Sequence, residues 1–510
     1  MTDAVINHIV NQAPAPGHRI TFHRGSTSQS IDLAELHVAA GRVARWLTSL
    51  GIRPGDRIGI LADNCLEWVL LDLAALRLKA VTAGFEPGKF TADGDVVARY
   101  DIALLFTDRP GSGSRVRPIT EVAAASSGPD ETALPDAVYS RDDIVTIKFT
   151  SGSTGTPKGL AARVGSIDSS IDAVQQAFRH GPGDDVFVFL PLSLLQQRYW
   201  VYSALRYGHD VTVSTYESAF AALRRARPTV VMGVPAFFDI ARRIIESRAE
   251  RITSATTREA ALRDVARQVF GDRIRYLWTG SAPAPATVLR FFTDVALPIY
   301  EGYGLNETCI VSKNHPGAHR EGSVGRVLPG KEVLLDQDGV ISVRSAEPVN
   351  TGYAYAPPGE SERVFPEYGV VRTGDLGYID PDGYLYIRGR VDDVIVLDDA
   401  RKIIVRPIEE LMRESPVIGE CVVYCPERTH LVAVVSPATD PADDEAISAH
   451  LERANALLAP DEQIRRVVVA REPFSIDNGL LTSQFKPQRK RIFEAYRREI
   501  HDLEGKTHAR

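Results

Sequence analysis

One ten-residue segment of this chain has the composition of a loop that binds phosphate. Residues 150–159 read TSGSTGTPKG, with three glycines, five hydroxyl side chains and one lysine, Lys158. The β-branched run at 144–147 just before it predicts a strand. Glycine-rich backbone can turn sharply and direct N–H groups and hydroxyls at an anion, to which the lysine adds a positive charge. The spacing differs from a Walker A loop, because Pro157 precedes the lysine and Gly159 follows it. We therefore expect a loop that holds the phosphates of a nucleoside triphosphate.

Four further motifs follow downstream. Residues 300–308 (YEGYGLNET) combine aromatic side chains, tight turns and a carboxylate, and residues 371–378 (VRTGDLGY) end a strand with an acid able to grip a diol. Residues 387–393 (IRGRVDD) come shortly after, and residues 480–486 (LLTSQFK) place Lys486 near the end of the chain. Phosphate, metal and ribose ligands in one chain are mutually consistent, and that consistency favours a nucleotide site over unrelated surface loops.

Together these motifs resemble the acyl-adenylate-forming superfamily, which includes acyl-CoA synthetases, adenylation domains of peptide synthetases and luciferases. The resemblance extends from residue 31 to residue 491, and LPLS at 190–193 and GSVGR at 322–326 are most similar to the long-chain acyl-CoA synthetase branch. It implies an α/β fold. A large N-terminal domain of layered α/β subdomains (1–389) would bind ATP and the acid, and a small mobile α+β C-terminal domain (390–510) would carry a catalytic lysine.

The resemblance implies an AMP-forming ligase that works in two steps at one site. An acid attacks the α-phosphorus of ATP and expels pyrophosphate, and a second nucleophile then displaces AMP. Two anions must meet in the first step, so neutralisation of charge is the main physical requirement. ATP and Mg²⁺ are the implied cofactors, with CoA as the default acceptor of the family.

The residues that match the family's motifs fall into five groups. The catalytic residues would be Lys486, Glu307 and Lys158, and the metal ligands Glu307 and Thr154. The nucleotide would be bound by Thr150, Ser151, Gly152, Ser153, Thr154, Gly155, Gly280, Ser281, Ala282, Tyr303, Gly304, Asp375 and Arg390. The acid pocket would include Leu194, Gln197, Val234 and Phe237, and the hinge between the domains would be Asp392.

The sequence departs from the family pattern at three places. Asn306 stands where a threonine is usual, which is a mild change because asparagine can still donate a hydrogen bond. Leu194 and Gln197 replace a histidine and a glutamate, so neither position can carry charge. Residues 398–400 (DDA) replace a glycine-containing turn that the pantetheine arm passes closely, and the two acids would repel the phosphates of CoA. The adenylation half of the site therefore matches the family, whereas the CoA half does not.

Hydrophobic periodicity supports a layered fold. Residues 33–50 predict a helix ended by Gly51, 57–61 a strand and 68–80 a helix, whereas 109–136 is rich in Gly, Ser, Pro and Ala and predicts a surface loop. In the C-terminal part we expect helices at 407–413 and 446–457 and strands at 417–424, 431–436 and 466–470.

Composition restricts the class of protein. A chain of 510 residues is too long for one ordinary core, and its 44% hydrophobic and 25% charged residues are typical of a globular protein. The net charge of −7 gives no electrostatic reason to expect a nucleic-acid partner. No apolar run reaches the roughly 18 residues that a membrane span needs, and the N-terminus has no secretory signal, so a cytoplasmic location is expected. The oligomeric state stays open.

The cysteines and histidines give no indication of a zinc site or of a disulfide framework. Four cysteines, Cys65, Cys309, Cys421 and Cys425, are too few for a disulfide scaffold in a chain this long, and we expect buried structural thiols. The twelve histidines show no HExxH pairing, so a zinc site is not expected.

Several alternatives remain open at this stage. The acceptor of the activated acid is CoA, a carrier-protein thiol or an amine. Some superfamily members that resemble this branch activate nitrite and diazotise an aryl amine. A rival of another class is a non-catalytic sensor of ATP or AMP. The presence of Lys486, Glu307 and Asp375 argues against the sensor, because a protein that only binds a nucleotide does not need a lysine on a mobile domain.

Overall fold

The computed structural model describes residues 4–128, 134–151, 157–252, 257–399, 401–439, 441–482 and 485–501, with the backbone alone at residues 150, 151 and 427. The predicted phosphate-loop residues Gly152, Ser153, Thr154 and Gly155 lie outside the described residues, as does Ala400. The side chains of Thr150 and Ser151 are likewise outside the description.

The first part of the chain alternates strands and helices. Its strands are β1 (Arg19–Arg24), β2 (Thr27–Asp32), β3 (Arg57–Leu61), β4 (Val81–Gly84), β5 (Leu104–Thr107), β6 (Val116–Pro118), β7 (Ile144–Ser151) and β8 (Pro157–Arg163). Its helices are α1 (Val5–Asn11), α2 (Leu33–Ser49), α3 (Leu66–Leu78), α4 (Gly94–Arg99) and α5 (Glu121–Ser126). The expected loop at 109–136 is wrong in part, since β6 and α5 lie within it. The alanines at 123–125 favour a helix, and Val122 anchors that helix in the core.

The middle of the chain continues this alternation. Its strands are β9 (Asp185–Val188), β10 (Asp210–Ser214), β11 (Val230–Gly233), β12 (Tyr276–Thr279), β13 (Ile299–Leu305), β14 (Cys309–Lys313) and β15 (Arg326–Val327). Its helices are α6 (Val164–Phe178), α7 (Leu195–Tyr207), α8 (Ala219–Ala226), α9 (Pro235–Ala249), α10 (Arg258–Phe270) and α11 (Ala286–Asp294).

The last third is richer in antiparallel strands. Its strands are β16 (Lys331–Leu335), β17 (Val340–Ser345), β18 (Val370–Ile379), β19 (Leu385–Arg390), β20 (Val394–Val396), β21 (Lys402–Ile404), β22 (Ile418–Tyr424), β23 (Leu431–Pro437) and β24 (Ile464–Val469). Its helices are α12 (Glu360–Val364), α13 (Val405–Met412), α14 (Asp444–Asn455), α15 (Arg489–Ala495) and α16 (Arg497–His501).

These elements form layered sheets. A six-stranded sheet has the order β6-β5-β3-β4-β7-β8, and a nine-stranded sheet has the order β15-β14-β13-β12-β11-β9-β10-β1-β2. Both are parallel at their centres, where strands of nearly continuous apolar sequence are covered by helices on their faces. A four-stranded antiparallel sheet, β16-β17-β18-β19, follows them. The expected α/β fold with a large N-terminal part is confirmed.

The C-terminal part has a core of its own. The sheet β22-β23-β24 packs with α13 and α14 around a cluster that includes Ile408, Met412, Val423 and Val435. The chain enters this part through the turn Val391–Asp393 that follows β19. We place the boundary between the two domains at this turn.

Two findings bear on the predicted class of protein. No helix within the described ranges is long and apolar enough to cross a lipid bilayer. All four cysteines are free thiols, and Cys309 and Cys421 are buried.

One buried acid, Asp168, makes the stability of the N-terminal domain depend on pH. Asp168 of α6 accepts a hydrogen bond from the backbone N–H of Ile6 through Oδ1 (3.0 Å), and its Oδ2 has no hydrogen-bond partner in the described part of the chain. Burial raises the pKa of Asp168 to about 7. The ionised form is thus disfavoured in the folded state. The free energy of unfolding therefore falls as the pH rises from about 4 to about 7.

We expect Asp168→Asn to stabilise the protein at high pH. The amide oxygen can still accept from Ile6 while the buried charge is removed. The gain in the free energy of unfolding should be about 2–4 kcal/mol at pH 8 and should approach zero at pH 4. Urea titrations at both pH values measure it, with the exposed Asp142→Asn as control. A gain that does not depend on pH would contradict the buried charge as its cause.

Candidate active site

The main cavity, of about 840 Å³, lies between the N-terminal and C-terminal parts. Residues 281–283 and 301–305 line it from the nine-stranded sheet, and Asp375 lines it from β18. Residues of α13 and β22, together with Lys486, line it from the C-terminal part. Because β12 and β13 are parallel neighbours, this cavity lies beyond their carboxyl ends, where α/β sheets bind ligands.

The loops at those strand ends form narrow walls. Gly280, Ser281 and Ala282 follow β12, and Ser281 has the positive φ of +71°. A Cβ atom at Gly304 would lie 2.0 Å from the carbonyl oxygen of Cys309, so only glycine fits between β13 and β14. The close approach holds Tyr303 at the cavity wall. The predicted adenine-binding residues therefore share one cavity edge, as the motifs imply.

A buried carboxylate is the centre of the predicted ribose site. Asp375 accepts hydrogen bonds from Tyr303 Oη through Oδ2 (2.5 Å) and from Arg390 Nη1 through Oδ1 (2.9 Å). Burial raises the pKa of Asp375, and the positive charge of Arg390 opposes that rise. Each carboxylate oxygen has two lone pairs, so Asp375 can still accept from a diol while it keeps both protein contacts.

Lys486 enters the same cavity from the C-terminal part. The backbone N–H of Lys486 donates to Thr482 Oγ1 (3.1 Å), and its carbonyl accepts from the N–H of Thr482 (2.9 Å). The preceding Phe485 has φ +58° and packs on Tyr216 of the N-terminal part, with ring centroids 4.6 Å apart. Burial lowers the pKa of Lys486, and the carboxylate of Asp375 opposes this effect. The tight turn and the aromatic contact thus bring a lysine to the ribose site.

Lys158 lies in a second polar cluster. Its ammonium forms an ion pair with Glu360 of α12 and lies 5.2 Å from the centroid of the Tyr353 ring. Tyr353 Oη donates to Glu307 Oε1 (2.6 Å). Lys158 and Glu307, far apart in sequence, are therefore joined through one tyrosine. Tyr353 and Glu360 were not predicted, because the surrounding sequence TGYAYAPPGE contains no recognisable motif.

The residues present fit a magnesium ion bound mainly through ligand phosphates. Within the described ranges there is no group of three or more His, Cys, Asp or Glu side chains able to hold a metal ion. Mg²⁺ typically uses one or two carboxylates together with phosphate oxygens and water. Glu307, whose second oxygen is not engaged by Tyr353, suits that role, whereas Thr154 lies outside the described residues.

A small cavity of about 70 Å³ adjoins the adenine wall. Trp200, Met232, Trp278 and Ile310 give it apolar walls, and Gln197 lines it as well. Gly280, Ser281 and residues 302–304 line its other side, so it opens toward the predicted nucleotide site. We take this cavity as the candidate acid pocket.

The shape of this cavity depends on a buried lysine. Lys313 Nζ lies 3.7 Å from the centroid of the Trp278 ring and donates to the carbonyl oxygens of Tyr300 (2.7 Å) and Thr279 (3.2 Å). Burial lowers the pKa of Lys313 well below its usual range. The lysine ties β12 to β13 and holds the indole ring of Trp278 in place.

Three of the four residues predicted for the acid pocket do not line this cavity. Val234 and Phe237 are core residues, and Phe237 is 0% exposed and packs on Phe189 with centroids 4.3 Å apart. Leu194 packs against the same core at the start of α7. Apolar side chains beside a helix start are buried by the helix itself, whereas Gln197, one turn later, does reach the cavity.

Two family models match the chain in order. That of the AMP-binding enzyme covers residues 10–348, and that of the AMP-binding enzyme C-terminal domain covers residues 392–507. The chain belongs to the AMP-binding enzyme family. The superfamily predicted from the motifs is confirmed, and so is an AMP-forming acid ligase of the acyl-CoA synthetase type.

Relatives of this AMP-binding enzyme act on different acids. It is 27% identical to a long-chain-fatty-acid–CoA ligase, FadD15, of Mycobacterium bovis, over 91% of this chain and 90% of that protein. It is 26% identical to a 2-succinylbenzoate–CoA ligase of Bacillus cereus, over 77% of this chain and 80% of that protein. O-succinylbenzoate coenzyme A synthetase of Bacillus subtilis, solved with ATP and magnesium, shares the fold, with a TM-score of 0.74 and 20% identity over 96% of this chain and 98% of that one.

The predicted hinge of the AMP-binding enzyme lies on the surface. Asp392 is in the middle of the turn Val391–Asp393, and its carboxylate lies 3.8 Å from Arg390 Nη2. Few contacts therefore oppose rotation at this position. The hinge role stays a prediction.

We expect Glu360→Gln to lower the KM for ATP. The carboxylate of Glu360 holds the ammonium of Lys158 and competes with an incoming phosphate, whereas a neutral amide competes far less. The decrease should be roughly threefold to tenfold, the effect of one partly screened charge interaction. Steady-state kinetics with varied ATP measure it, and Glu362→Gln, an exposed acid on the same helix, is the matched control. An increase in KM would show that Glu360 positions Lys158 for ATP and does not compete with it.

Proposed function

We propose that this AMP-binding enzyme activates a small oxyacid of about three to six non-hydrogen atoms as its mixed anhydride with AMP. The observation that carries the proposal is the 70 Å³ volume of the cavity beside the adenine wall. An apolar cavity of about 150 Å³ holds benzene, and one water needs at least about 10–15 Å³ measured in the same way. About half the volume of a benzene site excludes a fatty acyl chain.

The walls of the cavity support a fixed size limit. Trp200 and Trp278 pack edge-to-face with centroids 5.2 Å apart, and the ammonium of Lys313 lies over the Trp278 ring. Widening the cavity would require movement of both indole rings and the loss of that packing. Relatives that act on long-chain or bulky aromatic acids must house them differently.

The charged residues supply what the first step requires. Lys486 lies at the ribose site next to Asp375, where its ammonium can meet the charge that develops at the α-phosphate. Lys158 can bind the outer phosphates once Glu360 releases it. Glu307 would hold Mg²⁺, which supplies further neutralisation of the phosphates. The acid would then lie next to the two tryptophans, with its reacting oxygen toward these groups.

A panel of acids tests the proposed substrate class. We expect pyrophosphate release with formate, acetate, propionate or nitrite, and a kcat/KM at least about tenfold lower for hexanoate, benzoate and palmitate. Lys486→Ala should lower turnover by roughly 10²-fold while leaving ATP affinity nearly unchanged, since this charge acts mainly in the transition state. A preference for palmitate would overturn the size limit. Tight ATP binding without pyrophosphate release for any acid would instead support the sensor.

The acceptor is the second open point. Asp399 Oδ2 pairs with Arg401 Nη2 (2.6 Å), and Arg401 Nη1 pairs with Asp461 (2.8 Å). Arg401 is shared between two acids, so it offsets the charge of Asp399 only in part, and repulsion of CoA is somewhat weaker than the sequence alone indicates. The missing glycine stays as the main obstacle. An amine acceptor is the alternative: with activated nitrite, an aryl amine would displace AMP and lose water to give a diazonium ion.

We expect the unmodified enzyme to form thioester slowly from CoA. The combination Asp398→Ser, Asp399→Gly and Ala400→Gly should increase thioester formation several-fold while pyrophosphate release in the first step is unchanged. Mass spectrometry of products with CoA, and with an aryl amine plus nitrite, measures both routes. Rapid thioester formation by the unmodified enzyme would show that the altered turn does not hinder CoA.

A further inference from the structure

Three buried polar groups, one of which lines the small cavity, have no hydrogen-bond partner among the residues that the structure describes. They are Lys148 Nζ, Ser193 Oγ and Gln197 Oε1, on side chains of residues that are 3%, 6% and 8% exposed. Buried polar atoms in folded proteins are nearly always paired, so an unpaired group beside a cavity is a candidate contact for a bound ligand. Lys148 belongs to none of the sequence motifs, whereas Ser193 is the last residue of the LPLS motif.

The register of the six-stranded sheet brings these groups together. Lys148 of β7 pairs with Gly84 of parallel β4, so their side-chain directions share one face of the sheet. A Cβ atom at Gly84 would lie 2.9 Å from Ser193 Cα. The segment that leads into α7 therefore packs on the face to which Lys148 projects.

The next turn of α7 confirms this placement. Two residues before Lys148, Thr146 Oγ1 accepts from Arg198 Nη2 (3.0 Å). Helix α7 thus follows the same face from Ser193 to Arg198. Gln197 precedes Arg198 and lines the small cavity, so α7 lies between that cavity and the sheet face to which Lys148 projects.

Two buried lysines lie near each other here, and Lys148 has no hydrogen-bond partner in the described part of the chain. Lys331, a second buried lysine nearby, already donates to the carbonyl oxygen of Thr308 (3.0 Å) and to Ser345 Oγ (2.9 Å). Burial lowers the pKa of Lys331, and the charge of Lys148 adds to this effect. A buried ammonium without an anion is costly. The missing partner of Lys148 is therefore an anion.

The three groups together suit a ligand that only accepts hydrogen bonds. An ammonium and a hydroxyl donate, and the amide of a glutamine can turn to present its N–H₂. The start of α7, which has no side-chain cap at Leu194, adds the positive end of a helix dipole.

We propose that Lys148, Ser193 and Gln197 form an oxyanion-recognition subsite at the inner end of the acid cavity. It binds the oxygen of a small acid that lies farthest from the α-phosphate. The proposal rests on the proposed function and narrows its substrate class to small oxyanions with oxygen atoms at both ends, such as nitrite or oxalate, over alkyl acids of similar size.

Lys148→Met, which keeps the length of the side chain and removes its charge, tests the subsite. We expect the KM for nitrite or oxalate to rise at least about tenfold, with less than about twofold change in the KM for acetate, propionate and ATP. The melting temperature should stay the same or rise, because an uncompensated buried charge is removed. Lys79→Met, which removes the same charge far from the cavity, is the control. If Lys148→Met does not fold, Lys148→Gln serves for the same measurements.

The outcomes separate this inference from the proposed function. Wild-type enzyme that uses no small acid would refute the proposed function itself. Wild-type enzyme that uses acetate and propionate at least as well as nitrite and oxalate would refute the oxyanion subsite alone. A variant whose activity falls equally with every acid, or whose preference is unchanged, would also overturn the subsite and assign Lys148 a structural role. A shift in preference from oxyanions to alkyl acids is the supporting result.

Discussion

The pairing of Asp375 with Arg390 and Tyr303 is the interaction on which the arrangement of the site depends. It joins β18, β19 and β13, and therefore connects the four-stranded sheet to the nine-stranded one. Gly374, with φ +73°, makes room for it, since a Cβ there would lie 3.0 Å from Arg390 Nη2. Arg390 also directly precedes the turn into the C-terminal domain. The same guanidinium thus neutralises a buried acid and lies where the small domain is attached.

The two ends of the site are built on different physical principles. At the nucleotide end, side chains with opposite charges are held in pairs that a ligand can enter, as with Lys158 and Glu360. At the proposed acid end, Trp200 and Trp278 pack edge-to-face to form a wall, and the buried Lys313 contacts the Trp278 ring. Charged pairs can bind the phosphates of any nucleoside triphosphate, whereas a packed wall discriminates between acids by their volume. Recognition of the nucleotide and recognition of the acid therefore depend on different residues.

The family and the fold class could be predicted from sequence because glycine, aromatic and acidic residues at fixed spacing have few structural interpretations. Asp375, Tyr303 and Lys486 share one cavity as their motifs imply. The acid pocket was harder to predict. Phe237 lies in the core because neighbours distant in sequence, such as Phe189, surround it. Tyr353, Glu360 and Lys148 acquire their significance only from tertiary contacts, so no local pattern marks them.

The packing of Phe485 affects how the enzyme responds to temperature. Its ring packs against the apolar core beneath α9 and also against the core of the C-terminal domain, so one side chain holds the two domains together next to Lys486. Apolar association weakens on cooling, since its driving force near room temperature is largely entropic. The packing of Phe485 between the two cores is therefore less favourable in the cold. Acid activation should then slow more steeply at low temperature than its chemical barrier alone requires.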